Sequence, residues 1–168
     1  MKEEFSMLNH PIPPVYDGES KILILGSFPS VKSREQQFFY GHKQNRFWRV
    51  LAQVLDCAVP ESIAEKRTML LAHHIAVWDV IASCEITGSS DASIRNVEPN
   101  DLSRILSCAD IRPIYTNGAK AHQLYQKYIF PVNGREAFAL PSTSPANAGY
   151  SLERLVEAWK VIGNVPEE

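Results

Sequence analysis

Residues Lys21 to Val50 read KILILGSFPSVKSREQQFFYGHKQNRFWRV. The run Ile22-Leu23-Ile24-Leu25 is apolar throughout and too short for a free-standing helix, the pattern of a strand buried on both faces of a parallel sheet. Gly26 and Pro29 end that run, and a long connection follows before a helix pattern begins at Asn45. Phe38, Phe39, Tyr40, Phe47 and Trp48 make the segment too rich in rings for a solvated linker. It reads as a binding loop at the carboxyl end of a central strand, where open α/β sheets place their ligands.

Outward from this segment, strands alternate with helices. Ile75 to Ile81 reads as a second buried strand, Ile111 to Thr116 as a third and Ala137 to Leu140 as a short fourth. Asn45 is a suitable N-cap for a helix whose apolar positions Phe47, Trp48, Leu51, Val54 and Leu55 repeat at three and four. A second helix is expected from Pro60 toward His74, a third from Pro99-Asn100-Asp101 through Leu106, and a fourth over Ala119 to Tyr128. A last amphipathic helix carries Leu152, Leu155, Val156, Trp159 and Ile162. Residues 83–96 read as a polar loop, and the Pro-rich segment 1–20 as an extended stretch wrapping the surface. Four strands joined through helices predict one α/β domain, a three-layer sandwich with a central parallel four-stranded sheet. Loops 26–44, 79–96, 117–118 and 141–150 would then gather at one edge, the candidate site.

The chain has 168 residues, 45% hydrophobic and 21% charged, as expected of one soluble domain. No apolar run is long enough to span a membrane, and the first residues, MKEEFSMLNH, carry acids where an export signal needs bases, so a cytoplasmic location is expected. Cys57, Cys84 and Cys108 are too widely spaced for a zinc motif and read as buried thiols. Net charge is −2, yet residues 32–49 hold five bases (Lys32, Arg34, Lys43, Arg46, Arg49) against Glu35, a local +4 that leaves −6 for the rest. A basic face on an acidic body suits a protein that meets phosphates through one surface.

Several chemistries lack their residues. GxxxxGK[ST], a strand-linked GxGxxG and GxSxG are all missing, so nucleotide hydrolysis, dinucleotide redox and serine-nucleophile hydrolysis are unsupported. His73-His74 has no companion acid at helical spacing and reads as a capping pair, so no metal and no cofactor are expected. The loops offer amides, hydroxyls, aromatics and the strand-end acid Asp79. That set can orient a water, hydrogen-bond a flat heterocycle and stack on it, which suits glycosidic cleavage through an oxocarbenium-like transition state.

Three ordered motifs carry a family resemblance. Gly26-Ser27-Phe28-Pro29-Ser30, the segment Phe39 to Trp48 with its NRFW element, and Pro141-Ser142-Thr143-Ser144-Pro145 resemble the uracil-DNA glycosylase superfamily, and NRFW resembles its mismatch-specific uracil/thymine branch. Where most of that superfamily has an acid or amide to activate water, this chain has Phe28, and Ser142 or Thr143 replaces the histidine of the last motif. Both departures resemble the hypoxanthine (deoxyinosine) branch. The resemblance implies a uracil-DNA glycosylase-like sandwich with Asn45 as catalytic residue positioning the water. It further implies base contacts from Gly26, Ser27, Phe28, Tyr40, Asp79 and Ser142.

The resulting expectation is a monomeric, metal-free glycosylase that acts on double-stranded DNA and removes a deaminated base, hypoxanthine first. Uracil or broad specificity is the alternative, and an inactive nucleic-acid-binding module a further one. Lys43 and Arg46 would grip the duplex, Ser144, Pro145, Ala146 and Asn147 would also meet the DNA, and a loop at 145–149 would insert where the lesion flips out. Plainer roles compete: Asn45 as a cap, Tyr40 as core, Asp79 as a cap on its turn.

Overall fold

A computed structural model describes residues 6–86 and 94–164. Strand β2 (Ile22–Gly26) lies at the centre of a four-stranded parallel sheet with β3 (Ile75–Asp79), β6 (Ile114–Asn117) and β7 (Phe138–Leu140), in the order β3-β2-β6-β7. Every residue of β2 and β3 is buried, which is why both read as unbroken apolar runs. Helices flank this sheet, giving the expected sandwich. They are α1 (Val31–Gln36), α2 (Phe47–Leu55), α3 (Ile63–Ala72), α4 (Ser103–Leu106), α5 (Ala119–Leu124), α6 (Phe130–Asn133) and α7 (Leu152–Trp159).

A second sheet is present that the sequence reading did not contain. The chain bends at Val80, and β4 (Ile81–Ile86) leaves the parallel sheet to form an antiparallel one with β1 (Ser6–Asn9) and β5 (Arg95–Pro99), ordered β1-β4-β5. The second strand therefore stops at Asp79 rather than Ile81, and much of the polar loop expected over 83–96 is strand; residues 87–93 of that loop lie outside the described residues. Buried Cys84 and Ile86 alternate with half-exposed Ser83 and Glu85, a period of two carried by side chains too small to announce it. The amino-terminal segment is not superficial either. Ile12 and Val15 are fully buried, and Val15 bridges Val77 at the edge of β3.

Other boundaries move for local reasons. The helix expected at Pro60 begins at Ile63, because Ser62 Oγ accepts from the Glu65 amide at 3.1 Å while the Glu65 carboxylate accepts from the Glu61 amide. Pro99 closes β5 instead of opening a helix, and α4 starts at Ser103 after Asp101 accepts the Ser103 amide. The third strand begins at Ile114, not Ile111, and the fourth at Phe138. The helix expected over 119–128 continues as α6 through a π turn at Tyr125–Ile129. Pro131 has no N–H to donate and its ring would press on the carbonyl four residues back, which the wider turn relieves. Of the cysteines only Cys84 is buried; Cys57 and Cys108 are exposed, contrary to expectation.

Candidate active site

The parallel strands end together. Gly26 and Asp79 are register partners at the tips of β2 and β3, and Asn117 pairs with Leu140 at the tips of β6 and β7. The loops leaving these tips enclose a cavity of about 500 Å³ lined by Gly26, Ser27, Phe28, Tyr40, Asn45, Asp79, Asn117, Ser142 and Thr143, among others. All six residues expected to meet a base thus line one cavity, as does Asn45.

Asp79 is 3% exposed, and its Oδ2 accepts from His10 Nε2 at 2.7 Å. The tautomer follows from the other nitrogen: His10 Nδ1 accepts the Ile12 amide at 3.2 Å, so Nε2 bears the hydrogen of a neutral ring. His10 comes from the segment read as a surface wrap and sits 69 residues away in sequence, so no spacing pointed to it. Asp79 does not cap its own turn. That work falls to Asn100, whose Nδ2 donates to the carbonyls of Asp79 and Ile81 at 2.9 and 3.1 Å. The other carboxylate oxygen, Oδ1, lies over Gly26 so closely that any Cβ there would collide with it. Glycine is required at 26 for this approach, not for its backbone angles.

Tyr40 supplies the complement. Its hydroxyl lies 3.1 Å from the position a Gly26 Cβ would take, and it is buried with no hydrogen-bond partner. Burial, and after it the Asp79 carboxylate, push its ionisation far above the ordinary tyrosine range, against a smaller opposing pull from the nearby Asn117 side-chain amide, which does not reach hydrogen-bond geometry with the hydroxyl. The hydroxyl is therefore a neutral donor. One face of the Tyr40 ring stacks on Phe47 at 3.9 Å and 19°. Phe28 forms an apolar wall of the cavity, its ring edge-on to His10 at 5.9 Å and under the Arg34 guanidinium at 5.7 Å.

Asn45 is built in from two sides. It stands one residue ahead of the cap position, which is Arg46, and its Oδ1 accepts the Phe47 amide at 3.0 Å. The same oxygen accepts from Thr143 Oγ1 at 2.8 Å, across 98 residues of chain. Thr143 is fully buried and is held by Asn117, whose Nδ2 donates to Thr143 Oγ1 and whose Oδ1 accepts the Thr143 amide, both at 3.0 Å. Sequence reasoning left Ser142 and Thr143 open; Ser142 Oγ instead accepts the Ser144 amide at 3.1 Å.

The residues expected on DNA divide. Lys43 is exposed, as are Pro145 and Ala146 at the tip of the last loop. Arg46 is engaged: its guanidinium donates to the carbonyls of Tyr150, Ser144 (3.2 Å) and Asn147 (3.1 Å), and its own amide donates to Thr143 O at 3.0 Å. Asn147 turns inward, Nδ2 donating to Ser142 O at 3.0 Å.

Fold and cavity together define an open α/β sandwich with a pocket walled by polar and aromatic side chains at the carboxyl edge of its parallel sheet. The chain belongs to the uracil DNA glycosylase superfamily, whose family model matches residues 13–163. Two curated relatives, the hypoxanthine DNA glycosylases of Methanosarcina acetivorans and Methanosarcina barkeri, are 35% and 32% identical to it, over 93% and 91% of this chain and 98% and 96% of theirs. The solution NMR structure of a uracil DNA glycosylase candidate from Methanosarcina acetivorans is similar, with a TM-score of 0.77 at 30% identity, covering 94% of this chain and 99% of that one.

Proposed function

We propose that this chain is a monofunctional DNA glycosylase that hydrolyses the N-glycosidic bond of hypoxanthine in double-stranded DNA, with Asn45 as the group acting at the glycosidic bond. The observation that carries the base assignment is the acceptor and donor meeting over Gly26. Asp79 Oδ1 can accept a ring N–H while Tyr40 O–H donates to the adjacent carbonyl, the lactam edge that deamination creates. Adenine presents the reverse polarity on that edge, an acceptor nitrogen beside an amino group, and would leave the Asp79 carboxylate facing a lone pair. The names of the curated relatives support the same substrate. Uracil has the same N–H and carbonyl arrangement, so the edge also favours a second reading in which uracil is excised.

A base still stacked in a duplex cannot enter a cavity, so the nucleotide would be flipped out, with Lys43 on the phosphates and the 145–147 loop at the vacated stack. A monomer acting in the cytoplasm completes the proposal. Among the described residues no helix is long and apolar enough to cross a membrane. The test is a panel of duplexes each bearing one lesion, assayed for alkali-sensitive abasic sites. Release of hypoxanthine, with adenine duplexes untouched, is expected; no release from any lesion would leave a binding module.

A further inference from the structure

Asn45 lines the cavity, and the hydrogen bonds around it determine which end of its amide can act. An amide oxygen has two lone pairs, and both are occupied here, one by the Phe47 N–H and one by the Thr143 hydroxyl. The orientation is fixed by chemistry, because a backbone N–H facing the amide at 3.0 Å can meet only its oxygen. The Thr143 hydrogen is fixed likewise. Asn117 must point its oxygen at the Thr143 amide, so its NH₂ donates to Thr143 Oγ1, and the hydroxyl hydrogen is left to run to Asn45. The chain of donors Asn117, Thr143, Asn45 ends at Asn45 Nδ2, which has no partner among the described residues.

We infer that Asn45 serves the reaction as a hydrogen-bond donor to the departing base, through Nδ2, rather than as an acceptor that draws a proton from water. The inference rests on the glycosylase reading above. In the hydrolysis the C1′–N9 bond breaks and its electron pair stays with the purine, where the charge spreads over the ring nitrogens and the carbonyl oxygen. Water forms the new C1′–O bond, and the proton it gives up ends on the base, leaving neutral hypoxanthine and an abasic sugar. A donor aimed at a ring nitrogen is worth most as that charge develops, and the relay behind it polarises the N–H. This role accounts for the loss of an activating carboxylate or amide at Phe28: a leaving group stabilised by a donor places less demand on the nucleophile.

Asn45→Asp separates the two roles, since a carboxylate keeps both acceptor bonds to Phe47 and Thr143 but has no N–H. Single-turnover release of hypoxanthine should fall on the order of 100-fold or more in Asn45→Asp and in Asn45→Ala, with the aspartate variant no faster than the alanine one. Its melting temperature should stay near that of the wild type, because both bonds accepted from Phe47 and Thr143 survive. An aspartate variant at the wild-type rate, or 10-fold above the alanine variant, would overturn the donor role and restore water activation. A second measurement avoids the added charge: 3-deaza and 7-deaza hypoxanthine each lack one ring acceptor. One of the two should slow the wild type more than it slows Asn45→Ala. Equal slowing of both proteins by both analogues would also overturn the inference. Absence of release by the wild type would instead sink the glycosylase reading itself.

Discussion

The side chains over Gly26 make opposite demands on stability and on function. Tyr40 buries an unpaired hydroxyl, an arrangement that costs free energy unless a ligand completes it. Tyr40→Phe keeps the stack on Phe47 and deletes only that hydroxyl. It should raise the unfolding free energy by about 1 kcal/mol and yet slow hypoxanthine release roughly 2- to 12-fold, the range of one neutral hydrogen bond. Denaturation and single-turnover kinetics on the same preparation check both signs, and a less stable variant would mean that the hydroxyl is satisfied in the free protein. Asp79 yields a sharper case. Asp79→Ala should cost roughly 10- to 150-fold in release with DNA affinity retained, as expected for a hydrogen bond to a charged group. Asp79→Asn should do no better. His10 Nε2–H holds whichever oxygen is nearest, so the asparagine amide would turn its NH₂ toward Gly26 and present a donor to the base N–H. Full activity in Asp79→Asn would show that the amide rotates away from His10.

At the scale of elements, what the sequence discloses depends on how far each element's partners lie along the chain. Strands β2 and β3 were legible because burial on both faces writes itself as a continuous apolar run. Strand β4 was not, since Ala82, Ser83 and Cys84 look like loop, and its partner β1 is at the other end of a long excursion through the parallel sheet. Asp79 could be read from its place at the end of β3, Tyr40 from the ring-rich loop that follows β2, and Asn45 from the resemblance carried by its NRFW element. His10, Thr143 and Asn117 could not be assigned their roles, because each acts through a bond that only the tertiary fold closes. Arg46 belongs with these. As sequence it is one base in a basic cluster; as structure it ties the 144–150 loop to the start of α2 through three carbonyls. Arg46→Lys keeps the charge and loses the planar fork, and should lower stability by roughly 2 kcal/mol, or about 4–8 °C in melting temperature. An unchanged melting temperature together with weaker DNA binding would place the guanidinium on a phosphate instead.

Over the whole molecule the charge is divided rather than scarce. A net −2 conceals +4 over residues 32–49, and part of that segment is already compensated, since Lys32 pairs with Glu35 at 3.5 Å and Arg46 is held by the last loop. Lys43 remains exposed in the turn between Tyr40 and Asn45, two residues that line the cavity, so a phosphate beside a flipped nucleotide would meet it first. An acidic body repels the duplex on its other faces, which favours approach through this one and makes the encounter dependent on salt. Lys43→Gln removes one cation without disturbing any bond the cavity relies on. The slope of log affinity against log salt should become shallower by about 0.9, the share of one released counterion on duplex DNA. Release from the bound complex should keep its rate, because neither Asn45 nor the pair over Gly26 is touched. A slope equal to that of the wild type would move the DNA off the Lys43 turn, and with it the path by which a lesion enters the cavity.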